Sequence, residues 1–90
     1  MPVSVTNVLL KLKLLRELVG KEYSSTEHME FEVLAKIEEI IEDRAYQKGY
    51  HAVHEYGVTV FEAICRDMIF RIYFTVVDGR VRIVWADVIG

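Results

Sequence analysis

Ninety residues, of which 52% are hydrophobic and 28% charged, are enough for one domain with one core, spanning residues 1–90, and too apolar for a disordered chain. The net charge of −3 excludes a protein that coats nucleic acid by bulk charge, and the single cysteine, Cys65, excludes an internal disulfide. Apolar runs such as 3–10 and 72–77 fall far short of the ~20 residues of a membrane helix, and no basic-then-apolar leader opens the chain. A cytoplasmic protein away from membranes is therefore expected. One Asn and one Gln beside abundant Glu, Arg, Val and Ile match a thermophile's composition.

In chain order, Pro2–Val5 reads as a short strand, followed by an N-cap at Thr6 and a helix from Asn7 to Val19 that stops at Gly20. Val8, Leu9, Leu12, Leu15 and Val19 form one stripe on it, and Leu10, Leu14 and Leu18 form a second. So many leucines exceed what a small core covers, and Leu10, Leu14 and Leu18 are expected to form a partner or self-association surface, making the protein a dimer or holding a partner helix. Ser24-Ser25-Thr26-Glu27 fits a capping box with Ser24 as the cap. A second helix is then expected from Ser25 to Lys48, with Gly49 as its left-handed stop. Charge divides along the chain: residues 1–21 carry four cations against one carboxylate, and residues 22–48 carry eight carboxylates against three cations.

Beyond Gly49 the period becomes two. Val58–Cys65, Ile69–Val77 and Arg80–Ile89 are expected strands, and Asp78-Gly79 is a two-residue hairpin signal. That turn pairs Val77 with Arg80, Val76 with Val81, Phe74 with Ile83 and Ile72 with Trp85, so that Phe70, Ile72, Phe74, Val76, Val81, Ile83 and Trp85 share the core face. A two-residue turn at Arg66-Asp67 or Asp67-Met68 adds Phe61, Ala63 and Cys65 to it; a three-residue loop reverses them. The fold class is then α+β: two helices on one face of a three- to four-stranded antiparallel meander, in the order (β)-α-α-β-β-β.

The opposite face collects Glu62, Ile64, Arg71, Tyr73, Thr75, Arg80, Arg82 and Val84. Guanidinium groups grip phosphate and stabilise developing charge, and tyrosine stacks on a base, so Arg71, Tyr73 and Arg82 could meet an area the size of one nucleotide. The alternative is an ordinary exposed sheet face with Arg–Glu pairs. His51, His54 and Glu55, in an expected loop before the sheet, are candidates for proton transfer. They lack a four-ligand set, so no metal and no cofactor is expected.

This order of elements, with Gly57-Val58-Thr59-Val60-Phe61-Glu62-Ala63 and above all Phe70-Arg71-Ile72-Tyr73-Phe74-Thr75-Val76-Val77-Asp78-Gly79-Arg80-Val81-Arg82-Ile83-Val84-Trp85, resembles the RelE/ParE toxin superfamily, its RelE-like and HigB-like branch in particular. The resemblance implies a metal-independent, ribosome-associated mRNA endonuclease neutralised by an antitoxin, or a gyrase-poisoning relative. Carried over, it gives Arg71 phosphate and transition-state stabilisation, Arg80 and Arg82 RNA-backbone binding, and His54 or Glu55 proton transfer. The chain ends Ala86-Asp87-Val88-Ile89-Gly90 where many such nucleases carry a His, Tyr or Lys cluster, and it is acidic where most are basic. The competing class is a non-catalytic dimeric or regulatory interaction module.

Overall fold

Leu14 and Leu18 from one helix, and Met29, Val33 and Ile37 from another, are buried against the same side of a β-sheet. The computed structural model describes residues 5–41, 46–52, 57–65 and 67–90, with side chains at 7–41, 57–65 and 67–90. Its elements are α1 (Val5–Leu18), β1 (Glu22–Tyr23), α2 (Thr26–Ile41), β2 (Tyr46–Ala52), β3 (Thr59–Cys65), β4 (Met68–Val77) and β5 (Arg80–Ile89). The sheet is antiparallel throughout in the order β1-β5-β4-β3-β2. This is the expected α+β class, a four-stranded meander under two helices, extended by the two-residue β1 at the β5 edge.

The core follows from alternation. Phe61, Ala63 and Cys65 of β3, Phe70, Ile72 and Phe74 of β4, and Val81, Ile83, Ala86 and Val88 of β5 all face the helices. The β3–β4 connection pairs Cys65 with Met68, Ala63 with Phe70 and Phe61 with Ile72, the register of a two-residue turn. The β4–β5 hairpin turns at Asp78 and Gly79, whose φ values of 52° and 76° are the two left-handed positions of a type I′ turn. Val77 pairs with Arg80, Val76 with Val81 and Phe74 with Ile83, as the turn dictates.

Six expectations are corrected. Trp85 is not in the core: it is 48% exposed and pairs with Tyr73, because a bulge between Tyr73 and Phe74 in the ladder leaves Val84 as an extra residue on β5. From there the faces exchange, so Ala86, not Trp85, lies opposite Ile72. Val76 has the core parity but lies beside the Asp78-Gly79 turn at the end of the hairpin and is 52% exposed. The second helix is described over Thr26–Ile41, and Tyr46–Ala52, expected as helix up to Lys48 and loop beyond, is a strand that pairs residue for residue with Thr59–Cys65, placing His51 in β2 opposite Val60. Val5 opens α1 and is not strand; the rest of the expected first strand, Pro2–Ser4, lies outside the described residues.

The last two concern the helices. Leu14 and Leu18 are fully or almost fully buried and Leu10 packs partly against the core, so the stripe assigned to a partner is the stripe that faces the sheet. The other stripe faces out: Val8 is 46%, Leu9 61% and Leu12 57% exposed. α1 lies along the margin of β5. Lys11 reaches round that margin to Asp87 (3.4 Å) and stands 5.8 Å from the Trp85 ring, and the Asn7 amide donates to the Gly90 carbonyl. The helix thereby blunts a sheet edge that β1 covers only at Val81 and Arg82. The α2 cap is Ser25 and not Ser24: its Oγ accepts the His28 backbone N–H at 3.0 Å, and Glu27 sits in the first turn against the helix dipole.

Deleting Val84 tests the bulge. The residue is surplus to the ladder, so the deletion is expected to cost only about 1–2 kcal/mol and to leave Trp85 outside and Ala86 inside. Urea melting with iodide quenching of the single tryptophan checks this; a buried, unquenched Trp85 in either protein would contradict the bulge.

Candidate functional site

Two surfaces compete for the functional role: the solvent face of the sheet and the solvent face of the helices.

On the sheet, strand parity places Arg71, Tyr73 and Thr75 of β4 beside Glu62 of β3 and Arg82, Trp85 and Asp87 of β5. Arg71 is held between two acids in the register, Glu62 on one side and Asp87 on the other. Its Nε donates to Glu62 Oε2 at 2.7 Å, with the Arg71 side chain 37% exposed and that of Glu62 12%. That hydrogen bond, helped by Glu62's charge and the Tyr73 hydroxyl and opposed by desolvation, raises the Arg71 pKa above its ordinary value, so the guanidinium stays charged throughout the working range. Arg80, two-thirds exposed, pairs with Glu22 of β1 at 3.3 Å. Lys11 is matched by Asp87. Arg82 is exposed and lies opposite Glu22 of β1 in the ladder; with Glu22, Thr75, Asp78, Arg80 and Val84 it lines a hollow of about 590 Å³.

The arginines do not converge. Arg82 lies opposite Thr75, four residues along β4 from Arg71, which is about 13 Å at strand spacing, and Arg80 lies opposite Val77, about 20 Å away. Arg71 and Tyr73 are adjacent on the face, as expected, while Arg82 and Arg80 belong to the hairpin end. His54 and Glu55 lie outside the described residues, and His51 is placed only by its register in β2. Among the described residues no group of three or more His, Cys, Asp or Glu could hold a metal, and Cys65 is buried. No described helix is long and apolar enough to cross a membrane.

The helix layer presents a different chemistry. On α1 the positions opposite Leu14 are Leu9, Leu12 and Arg16, and on α2 those opposite Val33 are Phe31 and Ala35. Phe31 is 70% exposed, the most exposed large apolar side chain described. Leu9, Leu12 and Leu15 with Lys13, Arg16 and Glu17 line one shallow groove of about 730 Å³. Val8, Lys11, Leu12 and Ile89 line a second, of about 820 Å³, between α1 and the end of β5. Lys36 of α2 reaches Glu17 of α1 at 3.7 Å, and both helices lie on the same side of the sheet.

The residues of this second surface were legible only as a pattern. Val8, Leu12, Leu15 and Val19 repeat at alternate spacings of four, three and four, the a/d seam of a helix that packs on another helix. Phe31 carries no periodic signal at all. Compared with known proteins, the chain matches no family model, no curated protein and no solved structure.

Proposed function

We propose that this protein is a non-catalytic interaction module that docks a protein partner on the solvent face of its helix layer. The observation that carries the reading is the exposure of Leu9, Leu12 and Phe31, at 61%, 57% and 70%, on the outward sides of the two helices. Water contact with a leucine side chain forfeits about 1.5–3 kcal/mol relative to burial, and a partner's helix recovers it. The basic residues Lys11, Lys13 and Arg16 around the α1 stripe give such a surface its polar rim. Introducing a charge there leaves the fold intact, because nothing of the core is touched: Leu12→Glu is expected to change stability by less than about 0.5 kcal/mol. Lysine-directed cross-linking in cells tests the rest. Wild type should give adducts through Lys11 or Lys13 that Leu12→Glu loses, and identical adducts from both would sink the reading.

One feature favours a second reading, the RelE-like endoribonuclease or a relative that only binds RNA. Arg82 is an exposed cation beside Thr75 and a 590 Å³ hollow, suited to one backbone phosphate. Under that reading Arg82→Ala flattens the salt dependence of RNA binding by about one phosphate, and Arg71→Ala lowers cleavage on programmed ribosomes by roughly 10²–10³-fold. The pairing of Arg71 with Glu62 weighs against it, because a guanidinium already neutralised by a carboxylate has less to offer a phosphoryl transition state. Wild type that neither binds RNA at low salt nor cleaves it removes this reading.

A further inference from the structure

We infer that the partner on the helix layer is a second copy of this chain, with α1 of each protomer crossing α2 of the other about a two-fold axis. The inference rests on the interaction reading above and names its occupant.

Charge decides between the possible occupants. α1 carries three cations, Lys11, Lys13 and Arg16, against one carboxylate, Glu17. α2 carries five carboxylates, Glu27, Glu30, Glu32, Glu38 and Glu39, against one lysine. Around the exposed apolar residues the contrast is sharper: Leu9 and Leu12 are flanked by exposed Lys13 and Arg16, and Phe31 by exposed Glu27 and Glu32. Pairing α1 with α1 would press cation on cation, and α2 on α2 would press carboxylate on carboxylate, each at the rim of an apolar contact where repulsion is least screened. Crossing α1 over α2 of the partner copy sets Lys13 and Arg16 against Glu27 and Glu32. It also seats Phe31 on the Leu9–Leu12 groove of about 730 Å³.

The same crossing closes. Each protomer supplies one basic and one acidic helix, linked by the Lys36–Glu17 ion pair, so the contact made by α1 on the partner's α2 is repeated by the partner. Both surfaces are then used and none is left to propagate a filament, which is the condition for an isologous dimer. The helices match in reach: 14 and 16 residues are about 21 and 24 Å at 1.5 Å per residue. The dimer is a four-helix layer between two outer sheets, with the arginine faces pointing away from each other.

Sedimentation equilibrium of the full chain at micromolar concentration tests this. The expected mass is twice 10.5 kDa, with the dissociation constant raised at least ~30-fold by Leu12→Glu. Lys13→Glu with Arg16→Glu should weaken the dimer too, and mixing that variant with Glu27→Lys/Glu32→Lys protein should restore a mixed dimer. All four charged positions are exposed, so these variants fold whatever the association state. A dimer indifferent to Leu12 and to the charge exchanges overturns the inference. A monomer that binds a synthetic amphipathic helix, leucine on one face and glutamate along its rim, overturns the second copy but keeps the docking surface. A monomer that does not bind that peptide overturns the inference and withdraws support from the surface as well.

Discussion

Leu14→Ala is expected to destabilise the protein by about 2–5 kcal/mol, whereas Leu12→Ala, two residues away on the same helix, should cost less than about 1 kcal/mol. Leu14 is fully buried with Leu18, Ile83 and the sheet aromatics, and truncation leaves a cavity that a rigid sheet cannot close. Leu12 is 57% exposed, so alanine there removes little contact and adds helix propensity. Urea denaturation of both variants, diluted until the chain is monomeric, measures the difference directly. Equal costs, or a larger cost at Leu12, would mean that α1 is rotated and that the partner surface is elsewhere.

Phe61→Ala should cost about 3–5 kcal/mol and lower the cooperativity of unfolding. Phe61 has no exposed surface and sits in the middle of β3, opposite Ile72 of β4 and Tyr50 of β2. Its loss therefore weakens two strand pairings at once. The comparison is Ile64→Ala on the same strand, whose side chain is 42% exposed on the other face and should cost under about 1 kcal/mol. Large losses at both positions would contradict the alternation, and small losses at both would mean that β3 is not a central strand.

The sheet was readable where a turn fixed it. Asp78-Gly79 admits one hairpin geometry, and from it the pairing follows as far as Phe74 and Ile83. Beyond that point a bulge at Val84 exchanged the faces, and alternation has no means of announcing one extra valine in a run of valine, isoleucine and tryptophan. The first residues of β2 read as the end of α2, because Gly49 looks like a helix stop, and Tyr50–Ala52 read as the loop before the sheet. In the structure Gly49 lies inside the strand opposite Glu62, and tertiary pairing overrides local preference. β1 is two residues long and held by the backbone exchange of Ile83 with Gly20 and Lys21, which side-chain pattern cannot encode.

The candidate site was harder. α1 is apolar on two sides, so hydropathy could count the leucines but not orient them. Leu10, Leu14 and Leu18 read as the outer stripe, but Leu14 and Leu18 are buried against the sheet and Leu10 packs partly on the same core. On the other face, parity correctly gathered Arg71, Tyr73, Arg80 and Arg82. Distance along the strands and the carboxylates of Glu62, Glu22 and Asp87 were outside what parity conveys.

Hydroxyl-radical footprinting of the protein in its cells, against the purified chain at high dilution, bears most directly on the central claim. Leu9, Leu12 and Phe31 are expected to oxidise readily in the dilute protein and to be protected in cells, while Tyr73 and Trp85 on the sheet react equally in both. Full reactivity of Leu9, Leu12 and Phe31 in cells, or protection of Tyr73 in their place, would contradict it and return the sheet face to first position.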